Sequence, residues 1–160
     1  MKIRLLSTVV AGGLLFLSNC TCNDMTSGER IPNASGDYLM FGHTSGFCMN
    51  CDEVYKIVDG KLFGASRQMI SDPDEVVLTQ LPTSSYAIVS SLTMQIPNRI
   101  VTGSTSSINR IGTYFPDAGH TYIEVSQSKK VYRWYIEPGN LPSDLTGFIS
   151  EVNSALGKLD

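Results

Sequence analysis

The pair Asp59-Gly60, set between Glu53-Val54-Tyr55-Lys56-Ile57-Val58 and Lys61-Leu62-Phe63, is the tightest constraint in this sequence. A two-residue hairpin turn holds both central residues at positive φ, which Asp and Gly tolerate and most residues do not. The flanking segments partly alternate and carry β-branched and aromatic side chains, as strands do. The spacing therefore predicts an antiparallel pair. A lone hairpin is marginal in water, so the rest of the chain must supply more strands and an apolar cover for at least one face.

It carries candidates for both. Tyr38-Leu39-Met40-Phe41 reads as a buried strand, and Gly42-His43-Thr44-Ser45-Gly46 as a loop punctuated by two glycines. Residues 121–125 and 131–136 are rich in aromatic and β-branched side chains and predict a second hairpin, turning over 127–130 and stopped by Pro138-Gly139. Tyr132, Trp134 and, across that hairpin, Tyr122 are expected on one strand face, as core or cross-strand pairs rather than a carbohydrate platform. Tyr86, Val89, Leu92 and Ile96 recur at steps of three and four, which predicts a helix over 84–95, capped by Ser84 or Ser85 and ended before Pro97. Pro142 and Ser143 open a last helix whose apolar stripe is Leu145, Phe148, Ile149, Val152, Leu156 and Leu159. Asp72-Pro73-Asp74 is a turn, Val76-Val77-Leu78 a candidate strand, and the Ser/Thr-rich 103–112 an exposed loop. The order predicts an α+β fold: two β-hairpins in an antiparallel sheet, with a middle helix and a C-terminal helix packed on one face.

The chain begins differently. Lys2 and Arg4 precede an apolar run over 5–17 that is too short for a permanent membrane span. The run ends in Leu17-Ser18-Asn19-Cys20, which resembles the lipobox of bacterial lipoproteins, with Asn19 where that motif usually has Gly, Ala or Ser. The resemblance implies that 1–19 is a signal peptide and that Cys20, linked to diacylglycerol and further acylated (palmitate), becomes the N-terminus. Each buried methylene of such chains contributes about 0.8 kcal/mol to anchoring. Residues 20–36 hold Asn, Asp, Thr, Ser, Gly and Pro and few apolar groups, and read as a flexible tether. The folded part is then a single domain, 37–160. Localisation in the bacterial cell envelope follows, with the lipid in a membrane (the outer membrane if the cell is Gram-negative).

Composition narrows the partners. The net charge is −3, and two of the twelve basic residues fall in the leader. An acidic domain without a basic stripe is a poor nucleic-acid binder. A hydrophobic content of 42% with 17% charged residues excludes bulk disorder.

Two further resemblances span much of the domain. Tyr38-Leu39-Met40-Phe41-Gly42-His43, Gly46-Phe47-Cys48, Cys51 and Tyr55-Lys56-Ile57, with Asp59-Gly60-Lys61-Leu62-Phe63, are similar to a group of small bacterial envelope lipoproteins of uncharacterised function. Thr121-Tyr122-Ile123-Glu124, Trp134-Tyr135-Ile136 and Leu141-Pro142 continue that likeness. More distantly, Ser45-Gly46-Phe47, Pro116-Asp117 and Leu141-Pro142-Ser143-Asp144-Leu145 resemble, in their order, emfourin-like proteins, which include inhibitors of thermolysin-type metalloproteases. This chain departs from them in Cys48 and Cys51, in its anchor and in a long insert over 66–83. The resemblance implies that His43, Thr44, Ser45, Gly46 and Phe47 contact a partner, by insertion into a protease cleft.

Cys48-Met49-Asn50-Cys51 is the main chemical constellation. Outside the cytoplasm the default is a Cys48–Cys51 disulfide, closing a very small loop. A redox pair and a metal site are the alternatives. His43, Cys48, Cys51 and His120 are of the right types for tetrahedral zinc, and Met40 or Met49 for copper. Cys22 is left over in the tether. Asp117 and His120 lie close in sequence, but no Gly-x-Ser-x-Gly elbow accompanies them. The adjacent pairs Asp52-Glu53 and Asp74-Glu75 point to opposite sides of a strand. No phosphate loop and no twelve-residue calcium loop is present. No residue is assigned to catalysis and no cofactor is expected. The expectation is a lipid-anchored, non-enzymatic module whose partners are the membrane and another protein. A metalloprotease inhibitor and a metal-binding or thiol-redox protein are the alternatives.

Overall fold

The computed structural model describes residues 36–44, 52–68, 76–113 and 119–159. The leader, Cys20, Cys22, Ser45, Gly46, Phe47, Cys48, Cys51 and Asp117 lie outside the described residues. Among the described residues, seven strands and two helices run in the order β1 (Tyr38–Thr44), β2 (Asp52–Val58), β3 (Lys61–Gln68), β4 (Thr79–Gln80), α1 (Thr83–Val89), β5 (Asn109–Ile111), β6 (His120–Gln127), β7 (Lys130–Ile136) and α2 (Ser143–Leu159). Short 3₁₀ turns at Leu92–Met94 and Ile100–Thr102 join α1 to β5. The strands form one sheet in the order β4-β3-β2-β1-β6-β7-β5, antiparallel except for the parallel pair β5–β7. Among the described residues no helix is long and apolar enough to cross a membrane.

Both expected hairpins are present. β2 turns into β3 through Asp59 (φ 50°) and Gly60 (φ 71°). β6 turns into β7 through Ser128 (φ 52°) and Lys129 (φ 65°), with Gln127 opposite Lys130. Ser-Lys is a poor pair for positive φ, and this turn is helped by Asp37, whose Oδ1 accepts the Ser128 N–H at 2.9 Å. The α+β class is as expected, with helices gathered on one face.

That face is built by strand alternation. Leu39 lies opposite Ile57 and Val125, and Phe41 opposite Tyr55 and Ile123, so three strands present one apolar row. The buried stripe of α2, Leu145, Phe148, Ile149, Val152, Ala155 and Leu156, joins the same core, as does Val89 of α1. Each of the Leu, Ile, Val and Phe side chains, fully buried, contributes about 1.5–3 kcal/mol. Trp134 sits here with its indole N–H donated to the Ile100 carbonyl at 2.9 Å.

The second face carries Met40, Val54, Ala65, Tyr122 and Leu78 around a buried carboxylate. Glu124 is 2% exposed. It accepts hydrogen bonds from the Tyr38 hydroxyl (2.5 Å), the Tyr122 hydroxyl (2.6 Å) and Arg133 Nε (2.7 Å). The Lys56 ammonium lies 3.9 Å from the centre of the Tyr38 ring. A buried charge survives when its lone pairs are met by donors, and these three do so.

Several elements depart from expectation. β1 does not end at Phe41 but includes Gly42, His43 and Thr44. It is flanked on both sides, and a Cβ on Gly42 would sit 2.0 Å from the Glu53 carbonyl oxygen. Gly42 is therefore a close-approach glycine inside a strand, not loop punctuation. Tyr122 does not share a face with Tyr132 and Trp134: it pairs with Tyr135, one position away, so it points to the second face. The middle helix closes at Val89 and resumes only as a 3₁₀ turn. It begins beside Pro82 without a side-chain cap, its serines and threonines giving little propensity for a longer run. Val76-Val77-Leu78 precede rather than form a strand, and β4 is Thr79–Gln80. Within 103–112, residues 109–111 form an edge strand. Asn109 holds it in place, donating to the Arg133 carbonyl at 3.0 Å and accepting from the Ser104 N–H at 2.9 Å.

Candidate functional site at one end of the sheet

Strand direction gathers the site. β1 ends where β6 begins, with Thr44 opposite His120, and β7 ends beside them, with Ile136 opposite Thr121. On the other flank of β1, Glu53 of β2 lies opposite His43. The last turns of α2 cross over this end and close a cleft of about 400 Å³. Its apolar floor is Ile136, Leu141, Ile149 and Leu156. His43, Glu53, His120, Thr121, Glu137 and Asn153 supply its polar groups.

Gly119 makes the close junction possible. Its φ is +67°, and a Cβ there would lie 2.3 Å from the Thr44 carbonyl oxygen and 3.1 Å from His43 Nε2. Only glycine fits that combination of left-handed backbone and contact. Thr121 Oγ1 donates to Asn153 Oδ1 at 3.3 Å, tying β6 to α2 across the cleft.

His120 packs its ring against Tyr135, with centroids 4.1 Å apart. Burial pushes the His120 pKa below its ordinary value of 6.5. Glu137 opposes that shift, Arg110 and His43 reinforce it, and Asp52 opposes it. The neutral imidazole is thus the favoured form at neutral pH. The Arg110 guanidinium lies 4.8 Å from the centre of the Tyr135 ring and donates from NH1 to Glu137 Oε1 at 3.2 Å. Glu137 is 3% exposed. Its other oxygen, Oε2, is buried and has no hydrogen-bond partner among the described residues. The residue is held by its own backbone, whose N–H donates to the Ile111 carbonyl at 2.8 Å.

Of the residues singled out in the sequence, His43 and His120 are brought to the same end of the sheet, from strands far apart in the chain. Thr44 closes β1 with its hydroxyl 3.4 Å from the His120 carbonyl. The other three members of the expected contact loop, Ser45, Gly46 and Phe47, and the cysteines of the disulfide and metal readings are outside the described residues. Met40 belongs to the second-face cluster, on the other side of the sheet from His43. Among the described residues, no three of His, Cys, Asp and Glu are arranged to hold a metal ion. Glu137, Arg110 and Asn153 were not legible as site residues. The one available signal for Glu137 was a charged residue continuing the aromatic strand 131–136 ahead of Pro138-Gly139.

A second cleft, of about 340 Å³, lies at the opposite end of the sheet, between Tyr86, Ile96 and Val101 and the start of β1. Its outer residues include Asp37, Asp59, Asn98 and Gln127.

In comparisons with protein families, with curated proteins and with solved structures, the chain finds no match.

Proposed function

We propose that this chain is a bacterial envelope protein, anchored by lipid on Cys20, that works by binding a partner protein at the cleft between α2 and the His43 end of the sheet. The observation that carries this reading is the make-up of that cleft: an apolar floor ringed by side chains with hydrogen-bonding capacity, the composition of a recognition surface. Its position supports the same reading. The chain enters the sheet at Tyr38, and the seven residues of β1 carry it about 20 Å to the cleft. The cleft is therefore at the far end of the strand from the proposed tether.

The reading is tested in cells with a photo-cross-linking residue at Asn153, against a control at Glu151, which is exposed on α2 and does not line the cleft. A discrete cross-linked partner from position 153 and none from 151 is expected. No product from 153, or the same products from both, rejects it. Cys20→Ser is expected to abolish palmitate incorporation and to release the protein from the membrane fraction. Inhibition of a thermolysin-type metalloprotease is the narrower form of this reading, and failure to inhibit any such enzyme at micromolar concentration removes it.

A second reading, metal or thiol chemistry at Cys48 and Cys51, draws support from the position of His43 and His120 at the end of the sheet where β1 ends and β2 begins. Metal analysis and intact mass separate the two. Stoichiometric zinc or copper with free thiols favours the metal site. A two-dalton deficit that reduction removes, without metal, identifies a staple.

A further inference from the structure

The end of the sheet at which the chain enters carries an apolar lip beside a group of cations. Met94 is 83% exposed, the most exposed large apolar side chain among the described residues. It follows Thr93, which lines the second cleft together with Tyr86, Ile96 and Val101. The apolar surface therefore continues from Met94 into the cleft. Lys61, Lys129 and Lys130 are exposed nearby, in or next to the turns Asp59-Gly60 and Ser128-Lys129. Among the described residues the ion pairs are Arg99–Asp144, Arg110–Glu137 and Arg133–Glu124, and none of them uses these three lysines. Asp37 and Asp59 share this end, which leaves it net positive in a chain whose overall charge is −3. We propose that this end of the domain rests on the bilayer that holds the lipid of Cys20: Met94 enters the boundary between headgroups and acyl chains, and Lys61, Lys129 and Lys130 meet lipid phosphates. This rests on the anchoring part of the reading above and adds how the domain stands on its membrane.

Where the chain enters decides the occupant. Sixteen residues, Cys20 to Ser35, separate the proposed lipid from Gly36. Fully extended, a segment of that length reaches about 55 Å at most. Gly36 lies beside Asp59 at this end, where a Cβ on it would be 3.8 Å from the Asp59 carboxylate. The anchor thus holds this end at a high effective concentration of lipid, and a contact too weak to recruit a free protein still becomes populated. The side chains suit that surface. Methionine is unbranched and polarizable and adapts to an irregular apolar environment. Tyr86, half-buried in the cleft wall, has the ring and hydroxyl that favour the headgroup level. Apolar groups beside lysines are the make-up of interfacial surfaces, and each lysine near an anionic leaflet adds about fivefold in affinity. The partner-binding cleft then stands about 20 Å farther from the membrane, at the other end of β1.

The test uses the full chain purified from the membrane fraction and placed in nanodiscs of phosphatidylethanolamine and phosphatidylglycerol. Some of the lipids carry a headgroup nitroxide, and the protein is labelled with ¹³C-methyl methionine and ¹⁵N glycine. The Met94 methyl and the Gly60 amide are expected to broaden strongly, and Gly119 and Gly157, which line the far cleft, to stay sharp. The triple variant Lys61→Glu, Lys129→Glu and Lys130→Glu is expected to weaken docking by about a hundredfold or more, and so to erase the contrast between Gly60 and the far glycines. Met94→Glu is expected to erase it as well. All four substituted sites are exposed, and unchanged Gly119 and Gly157 shifts show that the fold is kept. Equal broadening at the two ends, broadening of Gly119 and Gly157 alone, or a contrast that survives both variants overturns the proposal. Palmitate incorporation reads the anchor separately. Palmitate on Cys20 with equal broadening discards the docking and keeps the anchor. A contrast without palmitate keeps the docking and discards the anchor.

Discussion

Glu124 shows how much one residue can organise. Its carboxylate gathers Tyr38 from β1, Tyr122 from β6 and Arg133 from β7 into one buried cluster. Tyr122→Phe deletes one of three donors without changing shape, and its expected cost is about 1–3 kcal/mol, read by urea unfolding. Glu124→Leu removes the acceptor shared by Arg133 and both phenols and should cost more, about 3–5 kcal/mol. Burial, reinforced by the Glu124 charge and hydrogen bond, pushes the Tyr122 phenol far above its ordinary 10. The unfolded phenol ionises near 10 while the folded one does not. This contribution to stability is therefore intact below that pH and is lost as pH rises past it. Tyr122→Phe should flatten the alkaline limb. His120 works in the acid direction. Its folded pKa is depressed by burial, so below about 6.5 the unfolded state binds the proton first and stability falls as pH falls. His120→Asn should remove that slope, measured as the urea midpoint between pH 7.5 and 5. Neither effect was legible from the sequence. The face of Tyr122 and the burial of His120 depend on partners that the local pattern does not name.

At the scale of elements, the hairpins and α2 were legible and the irregular strands were not. Asp59-Gly60 and the stripe from Leu145 to Leu156 are local signals, complete within a few residues of chain. Gly42 reads locally as a breaker, yet it lies in β1 between two neighbours that leave no room for a side chain. Gly42→Ala is expected to drive β1 from β2 and to lower stability by about 3 kcal/mol or more, or to prevent folding. Gly147 of α2 is the contrast. A Cβ there meets nothing within 4 Å. Gly147→Ala should raise stability by about 0.5–1 kcal/mol, because the helix interior favours alanine. Thermal unfolding of the two variants side by side checks both. β5 escaped notice because its three residues have no pattern of their own. Asn109 and the parallel register with Trp134, Tyr135 and Ile136 make it a strand.

On the scale of the whole molecule, β1 is the keystone. Among the described strands, the hairpins β2–β3 and β6–β7 are not neighbours in the sheet: β1 lies between them, and α2 packs over the core that both share. Neither hairpin should therefore persist alone, and unfolding should be one cooperative event. Urea transitions followed by the fluorescence of Trp134, in β7, and by far-UV ellipticity are expected to coincide. Two separated transitions would show that the hairpins unfold independently.

The sequence by itself determined the parts whose physics is local: an α+β domain, two tight hairpins, and a C-terminal helix with one apolar face. Hydrophobic period and turn chemistry act over a handful of residues, so they can be read in order along the chain. The tertiary structure decided what depends on distant pairing. It placed β1 at the centre, turned Tyr122 away from Trp134, and set Tyr38 against Glu124 across 86 positions. It also brought His43, His120 and Glu137 to one end of the sheet. Strand order and register follow from which buried faces and charges satisfy one another, a condition on the whole molecule that no single segment carries.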